Sequence, residues 1–234
     1  MGDNGSGKST LLKSIAIALG NKFFDRNYSN NEDRRFLIDM QVKINGKRKR
    51  VRVTDDEPQQ TELKSIPFAA YGASRLQVYQ YPYVEKENRS KQDRTHGLYN
   101  LFYVDGLLLD FNRWVSNEIS VTMGKRRFGS NAELTLRKEN IIELLISIIP
   151  NVVRIADMRI DGHVIAELGF IEEDEEGARS VLPLQYSELS SGIKSLIAML
   201  GDMLVRLFQQ QPKVTDPSQL EGIVIIDEID IHLH

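Results

Sequence analysis

The chain of 234 residues contains no cysteine, which excludes disulfide bonds and cysteine-ligated metal sites. Its net charge is small, -3 from 30 basic and 33 acidic residues, so the global charge does not indicate a nucleic-acid partner. No run approaches the roughly 18 apolar residues that a membrane-spanning helix needs, and no basic-then-apolar leader opens the chain. These absences predict a cytoplasmic protein with no membrane partner, and they direct attention to local motifs.

The sequence does have an ordinary globular composition, 41% hydrophobic and 27% charged, and a glycine-rich loop at its start. Residues 2–9, GDNGSGKS, match the pattern G-x-x-x-x-G-K-[ST] at every position. Glycines let the backbone turn tightly, so that successive N–H groups point at phosphate, and Lys8 adds a positive charge for the β- and γ-phosphates. The Ser9 hydroxyl is placed to ligate Mg²⁺, so the predicted cofactors are ATP and Mg²⁺. The predicted nucleotide contacts are Asn4, Gly5, Ser6, Gly7, Lys8, Ser9 and Thr10.

The glycine-rich loop leads into a predicted helix. Apolar residues at positions 11, 12, 15, 16 and 19 recur at helical spacing, and Gly20 and Asn21 provide a stop. The N-terminus of this helix strengthens the anion site. Because a loop of this kind follows a buried strand, and no strand precedes residue 2, we expect that the chain was cut after its first strand. We also expect that it was cut after residue 234.

A second motif, GIVIIDEIDIHLH, lies near the other end. The apolar, β-branched run at 223–226 predicts a strand buried on both faces. Asp227, at the tip of this strand, is predicted to lie beside the Mg²⁺, and Glu228 is predicted to orient or deprotonate the attacking water. The histidines His232 and His234 suggest a metal site as an alternative, but a polar loop after the strand is the favoured interpretation.

A third motif, the signature helix of residues 189–211, lies between the first two. Its apolar residues, at positions 193, 196, 197, 200, 204, 207 and 208, trace one helical stripe that Pro212 ends. Ser190, Ser191 and Gly192 stand at its N-terminus, where small hydroxyls and a glycine form either a simple N-cap or a phosphate site. Because the first loop already holds one nucleotide, we expect this tip to face the γ-phosphate of ATP bound by another copy. The predicted assembly is a homodimer or a higher homo-oligomer.

The three motifs in this order, GDNGSGKST, ELSSGIKS and IVIIDEIDIHLH, resemble an ABC-type ATPase head of the SMC/RecF kind. The stretch FAAYGASRLQ (68–77) and the ending DEIDIHLH are similar to the bacterial AAA family ATPase group of antiphage systems, which includes the Septu ATPase PtuA and retron-associated ATPases. The resemblance implies an α/β fold: an ABC-type P-loop NTPase head with a mixed central sheet, an antiparallel β part and an inserted helical subdomain. It also implies that Gln77 contacts Mg²⁺ and reports the γ-phosphate, with Ser74 and Arg75 as competing candidates, and that the partner is a nuclease effector of the HNH type.

A basic hairpin is predicted at residues 36–54. Apolar residues alternate up to an NG turn, which places Met40 opposite Val51 and Ile38 opposite Val53. Its basic cluster is a candidate binding surface for the phosphate backbone of DNA, although a solvated hairpin tip is the favoured interpretation. The cluster consists of Lys43, Lys47, Arg48, Lys49, Arg50 and Arg52.

The remaining segments fit a single head that covers residues 1–234. Within it, residues 85–150 form a predicted helical insert that ends at Pro150. A second hairpin is predicted to turn at Asp161-Gly162, and an acidic turn, EEDEEG, follows it.

Three functions follow from these observations. In the first, a head-to-head dimer binds and hydrolyses ATP with Mg²⁺ and acts as a conformational switch, as the ATPase component of an antiphage system that controls a nuclease effector. In the second, the chain is a RecF/SMC-like DNA repair ATPase that binds duplex DNA. In the third, it is a truncated, inactive interaction fragment. The first is favoured because of the resemblance at YGASR and DEIDIHLH.

Overall fold

The structure is a computed structural model that describes residues 7–20, 37–44, 46–54, 63, 66–72, 99–102, 108, 115, 131–160, 163–174 and 176–228. In these ranges the helices are α1 (Lys8–Gly20), α2 (Tyr99–Phe102), α3 (Asn131–Ile148) and α4 (Ser191–Gln210). The strands are β1 (Leu37–Ile44), β2 (Lys47–Thr54), β3 (Phe68–Tyr71), β4 (Val152–Ile160), β5 (His163–Glu173), β6 (Arg179–Gln185) and β7 (Ile223–Ile226). Short 3₁₀ turns cover Tyr186–Glu188 and Pro217–Gln219. The strands form a parallel pair, an antiparallel hairpin and a three-stranded antiparallel sheet, so the fold is α/β with both kinds of pairing, as predicted.

The parallel pair consists of β3 and β7, in a register that begins with Phe68 opposite Ile223. Side chains alternate along a strand, and β3 therefore presents Phe68 and Ala70 to α1. The other two residues of β3, Ala69 and Tyr71, pack against α4. All four residues are buried, as expected for a strand with a helix on each face. The described part of the chain thus contains an α/β/α sandwich in which α1 and α4 share one pair of strands.

β7 is less buried than its sequence predicts. Ile225 is 5% exposed and packs with α1, and Ile226 packs in the cluster that contains α4. Ile223 and Val224 are 38% and 39% exposed, so the prediction of a strand buried on both faces is wrong for its first half. The physical reason is that, among the described residues, the two helices cover β7 only toward its carboxyl end.

β1 and β2 form the predicted hairpin. Met40 pairs with Val51 and Ile38 pairs with Val53, as a two-residue NG turn requires, so the predicted register is confirmed. Val51 and Val53 are buried against Ala18 of α1, which places the apolar face of the hairpin on that helix. The helix that follows the glycine-rich loop is therefore held between the hairpin and the parallel pair.

β4, β5 and β6 form an antiparallel sheet in that order. The pairing of β4 with β5 ends at Ile160 opposite His163, which agrees with the predicted reversal, although residues 161–162 lie outside the described residues. β5 and β6 flank the predicted acidic turn, with Glu173 opposite Arg179. β6 was not predicted from the sequence, because its apolar residues are consecutive, lack a period of two and include Pro183.

One hydrophobic cluster joins α3, α4 and the three-stranded sheet. Leu145 of α3, Leu168 of β5 and Ile197 of α4 are all fully buried in it. α3 ends just before Pro150, as predicted. This helix therefore shares its core with the signature helix. The division of the chain into a head with a helical insert stays a prediction, and most of the segment at 85–130 lies outside the described residues.

α3 also holds the turn that leads from α4 into β7. Arg137 is 5% exposed, donates hydrogen bonds to the carbonyls of Pro212 and Val214, and lies over the Phe208 ring. Asn140 donates a hydrogen bond of 2.9 Å to the carbonyl of Thr215. These contacts satisfy carbonyl groups in a segment without regular structure, and they fix the point at which the chain enters β7.

Candidate nucleotide-binding site

The described part of the glycine-rich motif is the start of α1. Gly7 has φ +80°, a left-handed conformation that a glycine adopts without steric cost, and its carbonyl accepts the N–H of Leu11 at 2.9 Å. Lys8 and Thr10 are exposed and Ser9 is half-buried at the first turn. This turn is therefore accessible at the helix N-terminus, where the helix dipole attracts anions.

The acidic pair lies at the carboxyl end of the parallel strands. The Asp227 N–H donates a hydrogen bond of 2.8 Å to the carbonyl of Tyr71, which extends the ladder of β3 and β7 by one residue. Glu228 is exposed and has φ +50°, which is unfavourable for a residue with a Cβ by roughly 1–2 kcal/mol. The chain therefore turns sharply at Glu228, and its carboxylate is presented to solvent directly after the strand.

The signature helix begins with an ordinary N-cap. The Ser190 hydroxyl accepts the N–H of Ile193 at 3.4 Å, and the Ser190 carbonyl accepts the N–H of Lys194 at 3.0 Å. Ser190 and Ser191 are exposed and Gly192 is half-buried. The N-cap interpretation is thus confirmed, and the tip is open to solvent. Contact between these three residues and a γ-phosphate stays a prediction.

α4 runs antiparallel to β3. Asp202 contacts Tyr71 at the carboxyl end of the strand, whereas Gln210 contacts Phe68 at its amino end. From Asp202 back to Ser191 the helix advances 11 residue steps, about 16 Å at about 1.5 Å per residue, in the direction of the carboxyl end of β3. The signature tip consequently projects beyond the strand pair that carries the acidic residues.

The structure brings several of the predicted site residues onto one pair of strands. α1, with Lys8 and Ser9 at its start, packs on one face of β3 and β7, and α4 packs on the other. Asp227 and Glu228 end the same pair. The other predicted site residues lie outside the described residues. They are Asn4, Gly5, Ser6, Ser74, Arg75, Gln77, His232 and His234.

The comparison with known families agrees with this arrangement. A family model described as an AAA domain, AAA_23, matches residues 1–151, which is more than half of the chain. The chain belongs to the AAA_23 family. The predicted membership of the ABC/SMC-type P-loop ATPases is thereby confirmed, and it implies that ATP is the nucleotide bound.

Two curated relatives of this AAA_23 chain are retron-associated. Over 182 residues, 65% of the chain and 35% of the relative, it is 28% identical to the "Retron Vc95 probable ATPase" of Vibrio cholerae serotype O1 biovar El Tor. Over 69 residues, 30% of the chain and 12% of the relative, it is 39% identical to the "Retron Ec83 probable ATPase" of Escherichia coli. The chain thus spans about a third or less of the length of these relatives, and the predicted likeness to retron-associated ATPases is confirmed.

Three residues that the sequence analysis missed form a buried polar network in the AAA_23 chain. The Tyr71 hydroxyl donates to Asp202 Oδ2 at 2.8 Å, and Arg206 Nε donates to the same oxygen at 2.5 Å. Burial first, and then the Asp202 charge, raise the pKa of Tyr71 well above its ordinary value, which keeps the phenol protonated. Burial is the largest single effect and lowers the pKa of Arg206, but the charge of Asp202, the hydrogen bond to it and the interaction with Tyr71 together outweigh burial, so the pKa is raised. Asp202 lies on the side of the helix opposite the apolar stripe, so its spacing of four residues before an arginine was the available signal.

Within the residues that the structure describes, no group of three or more His, Asp or Glu side chains is arranged to hold an ion. Among those residues there is also no helix that combines the length and the apolar character needed to cross a bilayer.

Proposed function

We propose that this AAA_23 chain binds ATP with Mg²⁺ and hydrolyses it, and that two copies close on the nucleotide as a conformational switch. The observation that carries the proposal is the shared strand pair. The helix of the glycine-rich loop and the signature helix pack on opposite faces of β3 and β7, and this pair ends in Asp227 and Glu228. This arrangement supports an ABC-type head in which the exposed tip of α4 serves the nucleotide of a second copy.

Each residue has a distinct task in this proposal. The N-terminal turn of α1 binds phosphate through backbone N–H groups, and Lys8 adds a positive charge. Ser9 and Asp227 are the oxygen donors that suit Mg²⁺, and Gln77 is the further proposed donor. Bound Mg²⁺ supplies positive charge that offsets the charge developing on the phosphates. Glu228 accepts a proton from the attacking water, and its exposed position after the strand leaves room for that water.

Glu228→Gln tests the proposal. The amide keeps the size of the side chain but is a poor proton acceptor, so we expect turnover to fall by at least about 100-fold while ATP binding is kept. The measurements are phosphate release and nucleotide binding in the full-length protein. Because bound ATP would persist, the dimer should also become stable enough to detect by light scattering.

Glu221→Gln provides the matched control. It makes the same chemical change at an exposed glutamate close to the amino end of β7, and it should leave turnover within about twofold of the wild type. Undiminished hydrolysis by Glu228→Gln would remove Glu228 from the mechanism. Absence of ATP binding by the wild type would refute the whole proposal and favour an inactive interaction fragment.

The biological role that we propose is the ATPase component of an antiphage defence system. It is supported by the likeness to two retron-associated probable ATPases and by the resemblance at YGASR and DEIDIHLH. In this role, closure of two heads alters the behaviour of a nuclease effector, for which the HNH type is the candidate. Co-expression with candidate nucleases, followed by co-purification with and without ATP, tests the partnership, and separation under both conditions would contradict it.

A second candidate function, binding of duplex DNA, is favoured by the outer face of the hairpin. Its inner face packs on α1, so the register places Lys43, Arg48 and Arg52 together on the exposed face. Arg50 lies on the same face but forms an ion pair with Asp39. Three cationic side chains on one side of a two-stranded ribbon could contact successive phosphates.

The salt dependence of binding tests this surface. The double variant Arg48→Gln/Arg52→Gln should reduce the slope of log K against log salt by about 1.8, since each phosphate contact contributes about 0.9. Lys213→Gln, which removes an exposed charge in the turn before β7, should leave the slope unchanged. Equal slopes for the double variant and the wild type would exclude the hairpin as the DNA-binding surface.

A further inference from the structure

The buried network of Tyr71, Asp202 and Arg206 joins the signature helix to the end of β3. Tyr71 and Asp202 are 1% and 2% exposed, and the Arg206 side chain is 21% exposed. A buried ion pair is weak evidence for stability, because apolar residues of similar volume often stabilise a core as well or better. Directional hydrogen bonds do, however, select one arrangement of the packed elements. A functional need for that arrangement would explain why the chain contains such a network.

Tyr71 connects this network to the acidic end of β7. Its hydroxyl bonds to α4, while its backbone carbonyl accepts the N–H of Asp227 at 2.8 Å. A continuous series of hydrogen bonds therefore runs from Arg206 through Asp202 and Tyr71 to the backbone of Asp227. A displacement of Tyr71 would be transmitted directly to the residue that is proposed to hold Mg²⁺.

The chain that leaves β3 is fixed at the same place. The N–H of Gly72 donates a hydrogen bond of 2.9 Å to the buried side chain of Asn100. The approach is so close that a Cβ at position 72 would lie 2.5 Å from the carbonyl oxygen of Asn100. The carboxyl end of β3 is thus held from two directions, by α4 and by α2.

A separate set of contacts holds α4 to the amino ends of the two strands. The Gln210 amide bonds to both the N–H and the carbonyl of Phe68, at 3.0 and 2.8 Å. The Gln211 amide bonds in the same way to Glu221, the second residue before β7, at 3.1 and 2.8 Å. The middle and the carboxyl end of α4 are therefore anchored by chemically different groups, which allows each anchor to be altered alone.

We propose that Tyr71, Asp202 and Arg206 are positioning residues that set the angle of α4 against β3 and thereby place Asp227 and Glu228 for hydrolysis. The inference rests on the proposed ATPase function and adds three residues to it. None of the three is proposed to contact nucleotide. Their role is to hold the backbone from which the acidic side chains project, so their loss should affect the chemical step more than nucleotide binding.

Tyr71→Phe in the full-length protein is the first test. It removes the hydroxyl and retains the ring, so Asp202 keeps its bond to Arg206 and the packing is conserved. We expect kcat to fall about tenfold, the scale seen when a group that orients a metal ligand is lost, with the ATP dissociation constant within about twofold of the wild type. The Mg²⁺ concentration for half-maximal turnover should rise as well, because the donor at position 227 is less well held.

Gln210→Met is the matched control. It removes two hydrogen bonds between the same helix and the same strand, but at the amino end, away from the acidic residues. It should lower the unfolding temperature while kcat stays within about twofold of the wild type. A merely structural role for the Tyr71 network would instead make the two variants alike in kcat.

Two further variants keep the inference open to refutation if Tyr71→Phe fails to fold. Asp202→Asn removes the charge and should lower kcat as much as Tyr71→Phe does. Arg206→Lys keeps a cation beside Asp202, so it should lower kcat less than Asp202→Asn does. The inference is overturned if the folded variants turn over ATP at the wild-type rate, or if Gln210→Met loses as much kcat. An inactive wild type would overturn both this inference and the proposed function, whereas an active wild type with unaffected variants would overturn the inference alone.

Discussion

Tyr71 is the residue through which the signature helix and the acidic strand meet. Its side chain and its backbone carbonyl serve different neighbours, so one residue belongs to both elements. The network around it could not be predicted from the sequence, because Tyr71 and Asp202 are 131 residues apart and no local pattern pairs them. Asp227 and Glu228 could be predicted, since acidic residues directly after an apolar run are a local signal. The left-handed conformation of Glu228 has no such signal.

The titration of Tyr71 yields a prediction at this scale. Its pKa is raised by burial and by Asp202, so the folded chain holds the phenolic proton more tightly than the unfolded chain does. The resulting contribution to stability is complete below the ordinary pKa of 10.0 and is lost as the pH rises from there toward the folded-state pKa. We expect the unfolding free energy to fall by about 1.4 kcal/mol per pH unit above about pH 10 from this group. Urea unfolding measures the slope, and Tyr71→Phe should reduce it by that amount. Equal slopes in both proteins would contradict the assignment.

At the scale of elements, local sequence determined the hairpin and the helices but not β6. An NG turn admits one register, so the pairing of Met40 with Val51 followed from turn geometry. The sequence of β6 is an apolar run with a proline, and this segment forms a strand because it pairs with β5. In the same way, the sequence of β7 predicts a fully buried strand. The burial of its first half depends on tertiary contacts, which no local pattern predicts.

The N-cap of α4 yields a prediction at this scale. Ser190→Ala removes the acceptor for the Ile193 N–H and should cost about 1 kcal/mol of unfolding free energy. Ser190→Asp keeps an acceptor there and should restore the stability, but its negative charge would repel a γ-phosphate presented by a second copy. Chemical denaturation and ATP-dependent dimerisation, measured side by side, separate the two roles. If Ser190→Asp dimerises as well as the wild type, Ser190 does not face phosphate.

For the whole molecule, the proposal is that each site on the sandwich of α1, the strand pair and α4 is completed by the signature tip of a second copy. In a dimer with isologous symmetry, each copy would then contribute its signature tip to the site of the other. A mixing experiment follows from this. Lys8→Ala should inactivate the pocket and Ser191→Arg should inactivate the tip, so each variant alone should be inactive.

Mixing the two variants should restore up to about a quarter of the wild-type turnover, because about half of the dimers are mixed and each mixed dimer holds one intact site of two. Phosphate release from an equimolar mixture is the measurement. Mixing two separate preparations of Lys8→Ala is the control and should restore nothing. Failure of the complementary mixture, with both variants folded and dimeric, would mean that each site is built within one copy.

The antiparallel placement of α4 joins the signature tip to a larger packed unit. The helix is bonded to Tyr71 through Asp202, and the half of it that leads back to Ser191 is packed, since Ile197 is 0% exposed in the cluster with α3 and the three-stranded sheet. A tilt of α4 at Tyr71 would therefore carry these neighbours with it. Over about 16 Å, at about 1.5 Å per residue, a tilt of about 10° would displace the tip by about 3 Å, which is the length of a hydrogen bond. A small rotation of this unit beside the acidic strand would thus make or break contact with a neighbouring molecule, and the arrival of that molecule would be transmitted back to the strand.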